Sequence, residues 1–357
     1  MDYKQRLLSF FDETDRASKK HKLYIFGTGN TSALYQEGLL RNQDTFDIDG
    51  YVVSSATISE KWGKPVYNIS DIAGDPDALV LISTSRIKTV REIEGILDAN
   101  HIANCHVDDQ IFRMYREDIL KCYDMFEDDL SKRVYSEMLI CRAKGLKYNE
   151  EIFSDNQYFS LSRFWGCNEK DVFVDCGAYV GDSIERFLFT CEGVFGKIIA
   201  IEPDSYNLKA LDYRLDRLKK EWNLKDEQFE IYKYGVSDKS ETKYIESYAG
   251  NNGLGSKVVN TKTEDSEECS LVALDDIITD KVDFVKADIE SYEYKMLLGA
   301  EKTIRKYAPK LAICIYHNGF DFFQLQLLIH SFNPDYRFAV RHYGRELSET
   351  VLYAYVD

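Results

Sequence analysis

One run in the chain has the residue types and spacing of a ligand-binding turn: Val172-Phe-Val-Asp175-Cys-Gly177-Ala178-Tyr179-Val-Gly181-Asp182-Ser183. Its pattern, D-x-G-x-x-x-G, follows an apolar stretch and precedes a helical one. Glycines at a strand-to-helix turn let the backbone approach a ligand without Cβ clashes. The next apolar run ends on an acid, Ile201-Glu202-Pro203-Asp204. A carboxylate placed there can accept both hydroxyls of a ribose. A pyrophosphate is held by N–H groups at a helix start and wants no fixed anion beside it. Asp175 would repel phosphate and attract an amino group. S-adenosylmethionine carries an amino group and a sulfonium and no phosphate, so the turn favours it over NAD. The competing reading is a purely structural strand-turn-helix.

Two more pairs of polar residues close predicted strands. Asp288 and Glu290 follow the run 282–287, and His317 and Asn318 follow the run 310–316. In an open α/β sheet, ligands bind at the carboxyl ends of strands, so these side chains would gather beside the turn. An alcohol becomes nucleophilic only with a base or a metal. His317 is the candidate base, the alternative being a structural histidine. Asp288 and Glu290 could orient it, hold substrate hydroxyls, or bind Mg²⁺ through oxygen. Ser237 or Asp238, after the predicted strand 229–234, could accept an adenine amino group, and a plain turn explains them equally well. Asn251, Asn252 and Ser256 lie in a polar stretch over 247–270, read as an active-site loop or as solvated chain. Asn333-Pro-Asp-Tyr336 looks like the signature of amino-group methyltransferases, but it lies far downstream of the strand where that signature belongs and reads as a turn.

The elements that must position these residues alternate. A helix over 1–20 precedes strands at 22–26, 47–53, 78–83 and 104–107, with helices after the first and third. Residues 108–165 lose strand character and read as a helical connector. From Asp171 the alternation resumes to the last strands near 336–342 and 350–356. The reading is an α/β chain: a smaller Rossmann-like domain over 1–110, a connector over 111–165, and a larger Rossmann-like domain over 166–357 with a mostly parallel sheet.

The first strand also ends in a glycine turn, Gly27-Thr-Gly29-Asn30-Thr-Ser32. The third glycine of a dinucleotide fingerprint is replaced by Ser32, and the next strand ends Val53-Ser-Ser without a ribose-binding acid, so an NAD site is disfavoured. Gly27, Gly29 and Asn30 remain candidates for a phosphate or nucleotide-sugar ligand, against a degenerate docking or dimerisation domain. The segment resembles the small Rossmann-like domain that opens some sugar acyltransferases.

The 357 residues carry a formal charge of −16, with 45 basic and 61 acidic residues. Such a body repels phosphate backbones, which argues against nucleic-acid and anionic-membrane partners. No apolar run is long enough to span a bilayer, and no signal-peptide pattern opens the chain. The 8 cysteines form no CxxC pair and several sit in apolar runs, which suits reduced, buried thiols in a cytoplasmic protein.

From about 155 to 356 the sequence resembles the FkbM family of S-adenosylmethionine-dependent O-methyltransferases. The resemblance rests on Asn156-Gln157-Tyr158-Phe159, the run 171–183, Ile201-Glu-Pro-Asp204, Gly235-Val-Ser-Asp238, Leu274-Asp-Asp-Ile277, Phe284-Val-Lys-Ala-Asp-Ile-Glu290, and Arg341-His-Tyr with Glu349-Thr-Val-Leu-Tyr353. Ser291 departs from it, since the family usually has glycine after the acidic pair. The resemblance implies a class I methyltransferase fold with a seven-stranded, mostly parallel sheet, methylation of a hydroxyl oxygen, and Gln157 and Tyr158 in the cofactor cleft. The expectation is therefore an enzyme that methylates a hydroxyl of a carbohydrate, glycan precursor or nucleotide-sugar, as a monomer or a homo-oligomer. The alternatives are a nucleotide-sugar oxidoreductase or epimerase using the N-terminal turn, and a non-catalytic S-adenosylmethionine-binding protein.

Overall fold

The computed structural model describes residues 2–13, 22–165, 167–246, 257–259, 262, 264 and 266–357. The chain divides into two compact units. One holds Met1–Phe153, Ile315–Phe323 and Val340–Thr350; the other holds Ser154–Cys314, Gln324–Ala339 and Val351–Asp357.

The first unit opens with α1 (Tyr3–Asp12), capped by the Asp2 carboxylate. The remainder of the helix predicted over 1–20 lies outside the described residues. Six strands follow: β1 (Lys22–Phe26), β2 (Gly50–Val53), β3 (Glu60–Lys61), β4 (Lys64–Asn68), β5 (Ala78–Ile82) and β6 (Ala103–His106). Their order is β3-β4-β2-β1-β5-β6, all parallel except the β3–β4 hairpin. β5 reads Ala-Leu-Val-Leu-Ile and is buried throughout, as a central parallel strand covered on both faces must be. Helices α2 (Asn30–Leu34), α3 (Gln36–Arg41), α4 (Ile69–Ile72) and α5 (Ile87–Ala99) are interspersed among these strands.

The expected connector is α6 (Val107–Met114), α7 (Arg116–Asp124) and α8 (Asp129–Lys144). These helices fall within the first unit, whereas the sequence division separated them from it at 110. The reason is a buried charge. Arg142 on α8 is 2 % exposed, and its guanidinium bonds Asp108 at 2.7 Å, Tyr316 O at 2.9 Å and Leu347 O at 3.0 Å. One fully paired cation thus holds α6, α8 and the two late segments of this unit together.

The second unit contains β7 (Val172–Cys176), α9 (Asp182–Thr190), β8 (Lys197–Ile201), α10 (Ser205–Trp222) and β9 (Phe229–Tyr232). Next come β10 (Gly235–Val236), β11 (Glu241–Glu246), β12 (Lys257–Val259), β13 (Ser266–Val272), α11 (Leu274–Ile277) and β14 (Phe284–Ala287). The chain then forms α12 (Glu293–Gly299), α13 (Glu301–Tyr307) and β15 (Lys310–Cys314). Last come α14 (Asp321–Phe332), β16 (Arg337–His342) and β17 (Thr350–Tyr355), of which residues 324–332, 337–339 and 351–355 count to this unit. A seven-stranded sheet runs β16-β17-β15-β14-β7-β8-β9, with β17 antiparallel to β15 and the strands from β15 to β9 parallel. This is the class I methyltransferase sheet that the resemblance implied. Phe173 on β7 anchors its core, stacked on Phe187 at 4.5 Å and on Phe284 at 4.9 Å.

A second sheet, β10-β13-β11-β12, takes its β12 and the first part of its β13 from the stretch read as a loop. Ile245, Cys269 and Leu271 on one face of it pack on Tyr292, and Tyr244, Glu246, Glu268 and Ser270 alternate with them. All eight cysteines are free. Among the described residues no helix is long and apolar enough to cross a membrane.

Candidate functional site

The turn after β7, the acid after β8 and the acids after β14 leave one edge of the sheet, because β7 lies between β8 and β14 and all three are parallel. Gly177 and Ala178 donate their N–H groups to Ile201 O at 2.9 and 3.1 Å, folding the turn over the end of β8. Gly177 has φ +77°, and a Cβ there would stand 2.1 Å from Asp288 O. Gly181 has φ +80° and precedes α9. Tyr179 is left-handed as well, at φ +48°, and its N–H donates to Glu202 Oε2 at 2.9 Å.

Glu202 also accepts the Asp204 N–H at 3.0 Å and the Asn207 amide at 3.3 Å. Pro203 lies between, and Asp204 caps α10 by accepting the N–H groups of Tyr206 and Asn207. Burial pushes the Glu202 carboxyl up to about 7, against the pull of those donors. Asn207 is buried, and its own Oδ1 has no protein partner. Two neighbouring acceptors of this kind suit a vicinal diol, so the ribose of an adenosyl group fits here. Its methionine part would then lie along the Gly177–Gly181 cradle, which side chains would fill.

The raised Glu202 has a consequence for stability. A carboxyl whose folded pKa exceeds its ordinary value of 4.5 favours folding at low pH, and that contribution is lost as pH rises towards 7. Glu202→Gln is therefore expected to leave the ligand-free protein up to about 3 kcal/mol more stable than the parent at pH 8, with little difference at pH 4.5. Thermal melts at both values check it. The same variant should bind S-adenosylhomocysteine more weakly at pH 8.

Asp175 departs from the expectation that its charge awaits a ligand. In the β7–β14 register Asp175 stands opposite Lys286. The Lys286 ammonium lies 3.0 Å from Asp175 Oδ1 and donates to Gly177 O at 2.7 Å. Ser183 donates its hydroxyl to the other carboxylate oxygen. Lys286 is 3 % exposed; burial alone would lower its pKa, and the carboxylates of Asp175 and Asp288 raise it instead. The pair is neutral overall, so it braces the turn rather than advertising a negative charge. A lone cation inside the apolar run Phe284-Val-Lys286-Ala287 was the sequence signal for it.

Asp288 follows β14 and accepts the Tyr158 hydroxyl at 2.8 Å. Gln157 donates to that hydroxyl at 3.2 Å, and the Lys286 ammonium lies 5.2 Å from the Tyr158 ring centre. The Asn156–Phe159 motif is thereby tied to the edge that carries the turn, with Asn156 at φ +62° and Tyr158 at φ +69°. Glu290 and Ser291 have φ +53° and +76°, so the departure at Ser291 places a side chain where glycine is most at ease. Asp182 opens α9 and lines an open cleft of about 570 Å³ with Asn156, Trp165, Arg186, Phe189 and Arg214.

The remaining candidates have surroundings of their own. Ser237 and Asp238 follow β10 in the four-stranded sheet, not β9 in the large one; Ser237 is buried and bonds Val272 O and Asp238. His317 and Asn318 fall in the segment 315–323 of the first unit. His317 is buried with its ring 4.2 Å from that of Tyr316. Asn318 is wholly buried and spends its amide on Asp321 at 2.7 Å, at the start of α14. Asn251, Asn252 and Ser256 lie outside the described residues.

In the first unit, Gly27, Gly29 and Asn30 join β1 to α2, as expected of a glycine turn. Ser32 donates to Gly27 O at 3.0 Å and lies 2.9 Å from the Ser83 hydroxyl beyond β5. The residue at the third glycine position is thus a knot between two strand ends.

Residues 175–347 match the methyltransferase FkbM domain family. Among solved structures the chain is similar to methyltransferase FkbM from Methylobacillus flagellatus KT, with 21% identity over 99% of each chain and a TM-score of 0.61. It is also similar to an rRNA methylase from Streptococcus thermophilus, with 14% identity over 53% of this chain and 89% of that one and a TM-score of 0.33. A SAM dependent methyltransferase from Aquifex aeolicus shows 14% identity over 65% of this chain and 100% of its own, with a TM-score of 0.32. The first likeness shows the fold, and the other two are too distant to add to it. No curated protein matches the sequence. The comparisons lend the magnesium expectation no support. The family match and the sheet order together make residues 175–347 an FkbM methyltransferase domain.

Proposed function

We propose that the protein transfers a methyl group to a hydroxyl oxygen of a carbohydrate or glycan precursor. The observation that carries this reading is the carboxylate of Asp288, fixed by the Tyr158 hydroxyl at 2.8 Å and set against the cofactor turn, where Gly177 abuts Asp288 O. A carboxylate so placed accepts a hydroxyl hydrogen bond and orients the oxygen lone pair for in-line attack. Bound S-adenosylmethionine supplies the electrophilic methyl carbon. Glu202 and Asn207 hold its ribose, and the turn from Gly177 to Ser183 holds its methionine part, braced by the Asp175–Lys286 pair. Glu290 is the second carboxylate at that edge. His317, three residues beyond β15, is the group proposed to take the hydroxyl proton.

The test is transfer of labelled methyl from S-adenosylmethionine to a panel of glycans, paired with calorimetry of S-adenosylhomocysteine. His317→Ala is expected to lower turnover at least 100-fold with product affinity kept. Unchanged turnover removes His317 from the reaction. Methylation of amines but no glycan hydroxyl in the same panel would overturn the oxygen assignment.

A further inference from the structure

The first unit carries a cleft of about 300 Å³ that the methyltransferase reading does not use. Its walls come from α3, the turn that follows, β2 and the β3–β4 hairpin, and they bring together Gln36, Gln43, Asp44, Tyr51, Trp62 and Lys64. None of Gly27, Gly29 and Asn30 lines it.

The cleft has one aromatic corner. Tyr51 and Trp62 meet edge to face with ring centres 5.3 Å apart. Tyr51 is buried, and its hydroxyl accepts the Gln36 amide at 2.8 Å. Burial pushes its phenol up to about 12, so it stays a neutral hydrogen-bonding group. Trp62 sits at the hairpin tip with φ +51°, a conformation that bulky residues rarely adopt. The hairpin can lie this close to β2 because residue 50 is glycine: a Cβ there would come within 2.6 Å of Pro65 O. The half-exposed indole is therefore held at the mouth by the strand pairing.

Charge then selects the ligand. Lys64 is already paired with Asp47 at 2.9 Å, which leaves Asp44 as an exposed carboxylate on the rim. A phosphate or carboxylate ligand would face that charge with Lys64 already spent, the other nearby cation, Lys61, lying over the Trp62 indole 5.1 Å from its ring centre. A neutral polyhydroxylated ring is the opposite case. Its C–H face packs on indole and on Leu40, which is 56% exposed, while its hydroxyls donate to Asp44 and to the Gln36 amide oxygen and bond the Gln43 amide.

We propose that this cleft is a binding site for a neutral sugar residue, separate from the methyl-transfer edge of the second unit. It does not depend on a hydroxyl being the methyl acceptor. The test uses the full chain and saturation-transfer NMR with methyl glycosides of glucose, galactose, mannose, rhamnose and N-acetylglucosamine. At least one should receive saturation from the protein. Trp62→Ala and Asp44→Asn should each weaken that binding at least 10-fold, with S-adenosylhomocysteine affinity by calorimetry unchanged. No transfer to any of the five, binding indifferent to both variants, or displacement of the sugar by inorganic phosphate would overturn the proposal. Because Asp44 is exposed, its variant remains informative where Trp62→Ala disturbs the hairpin.

Discussion

Lys286→Met is expected to cost about 3–5 kcal/mol of stability and to abolish S-adenosylhomocysteine binding. The substitution keeps an unbranched side chain as far as Cε and removes the charge. Asp175, wholly buried, would keep a carboxylate with only the Ser183 hydroxyl to meet it, and Gly177 O would lose its donor. A buried charge left without its partner is among the most damaging changes a core can suffer. The pH dependence gives the test its sign. In the variant, burial with no cation raises the Asp175 carboxyl, so the protonated form fits the core and the deficit shrinks as pH falls. Asp175→Asn combined with Lys286→Met removes both charges and should recover most of the lost stability without restoring the cofactor site. Melts of the three variants at pH 5 and pH 8, with calorimetry at pH 8, settle the matter. A Lys286→Met deficit that ignores pH would show that the pair is not the cause.

The second large effect separates two glycine turns that look alike in sequence. Gly177→Ala places a methyl group 2.1 Å from a backbone oxygen, in a left-handed conformation that itself costs roughly 1–2 kcal/mol for an L-residue. Asp288 O cannot yield without moving the end of β14. Loss of cofactor binding and a drop in melting temperature are expected together. Gly29→Ala meets nothing within 4 Å and has an ordinary φ of −88°, so its effect should stay within about 0.5 kcal/mol. Equal losses in the two variants would mean that the N-terminal turn is also a tightly built cradle.

The legible parts of the molecule were those where one pattern had one physical outcome. Val172–Cys176 and Lys197–Ile201 are apolar because both faces of a parallel sheet are covered, and their ends carry the turn and the acid. The helix Ser205–Trp222 has its limits set by the Asp204 cap and by Asn223 at φ +52°. The four-stranded sheet was not legible. Glu241–Glu246 drew no reading, and Ser266–Val272 begins inside the stretch 247–270 that was read as an active-site loop or solvated chain, because few of its positions are buried. Nor could spacing alone show that Ser237 belongs to that sheet. Lys286 was visible as a residue but not as a partner, because the register that sets it opposite Asp175 joins residues more than a hundred positions apart. His317 and Asn318 were read from strand order as gathering beside the turn, with His317 as the candidate base. The structure gives Asn318 to Asp321 and buries His317 beside Tyr316.

The way the two units share the chain bears on how a ribosome must deliver them. The first unit needs residues 315–323 and 340–350 to close around Arg142, and the second needs β17 between β15 and β16. Neither can finish when its first segment emerges. Synthesis at about 5–20 residues per second leaves the N-terminal unit waiting roughly ten seconds or more for its last strands of sequence. During that wait the Arg142 guanidinium has Asp108 as its partner but lacks the carbonyls of Tyr316 and Leu347, so the N-terminal unit stands incompletely closed.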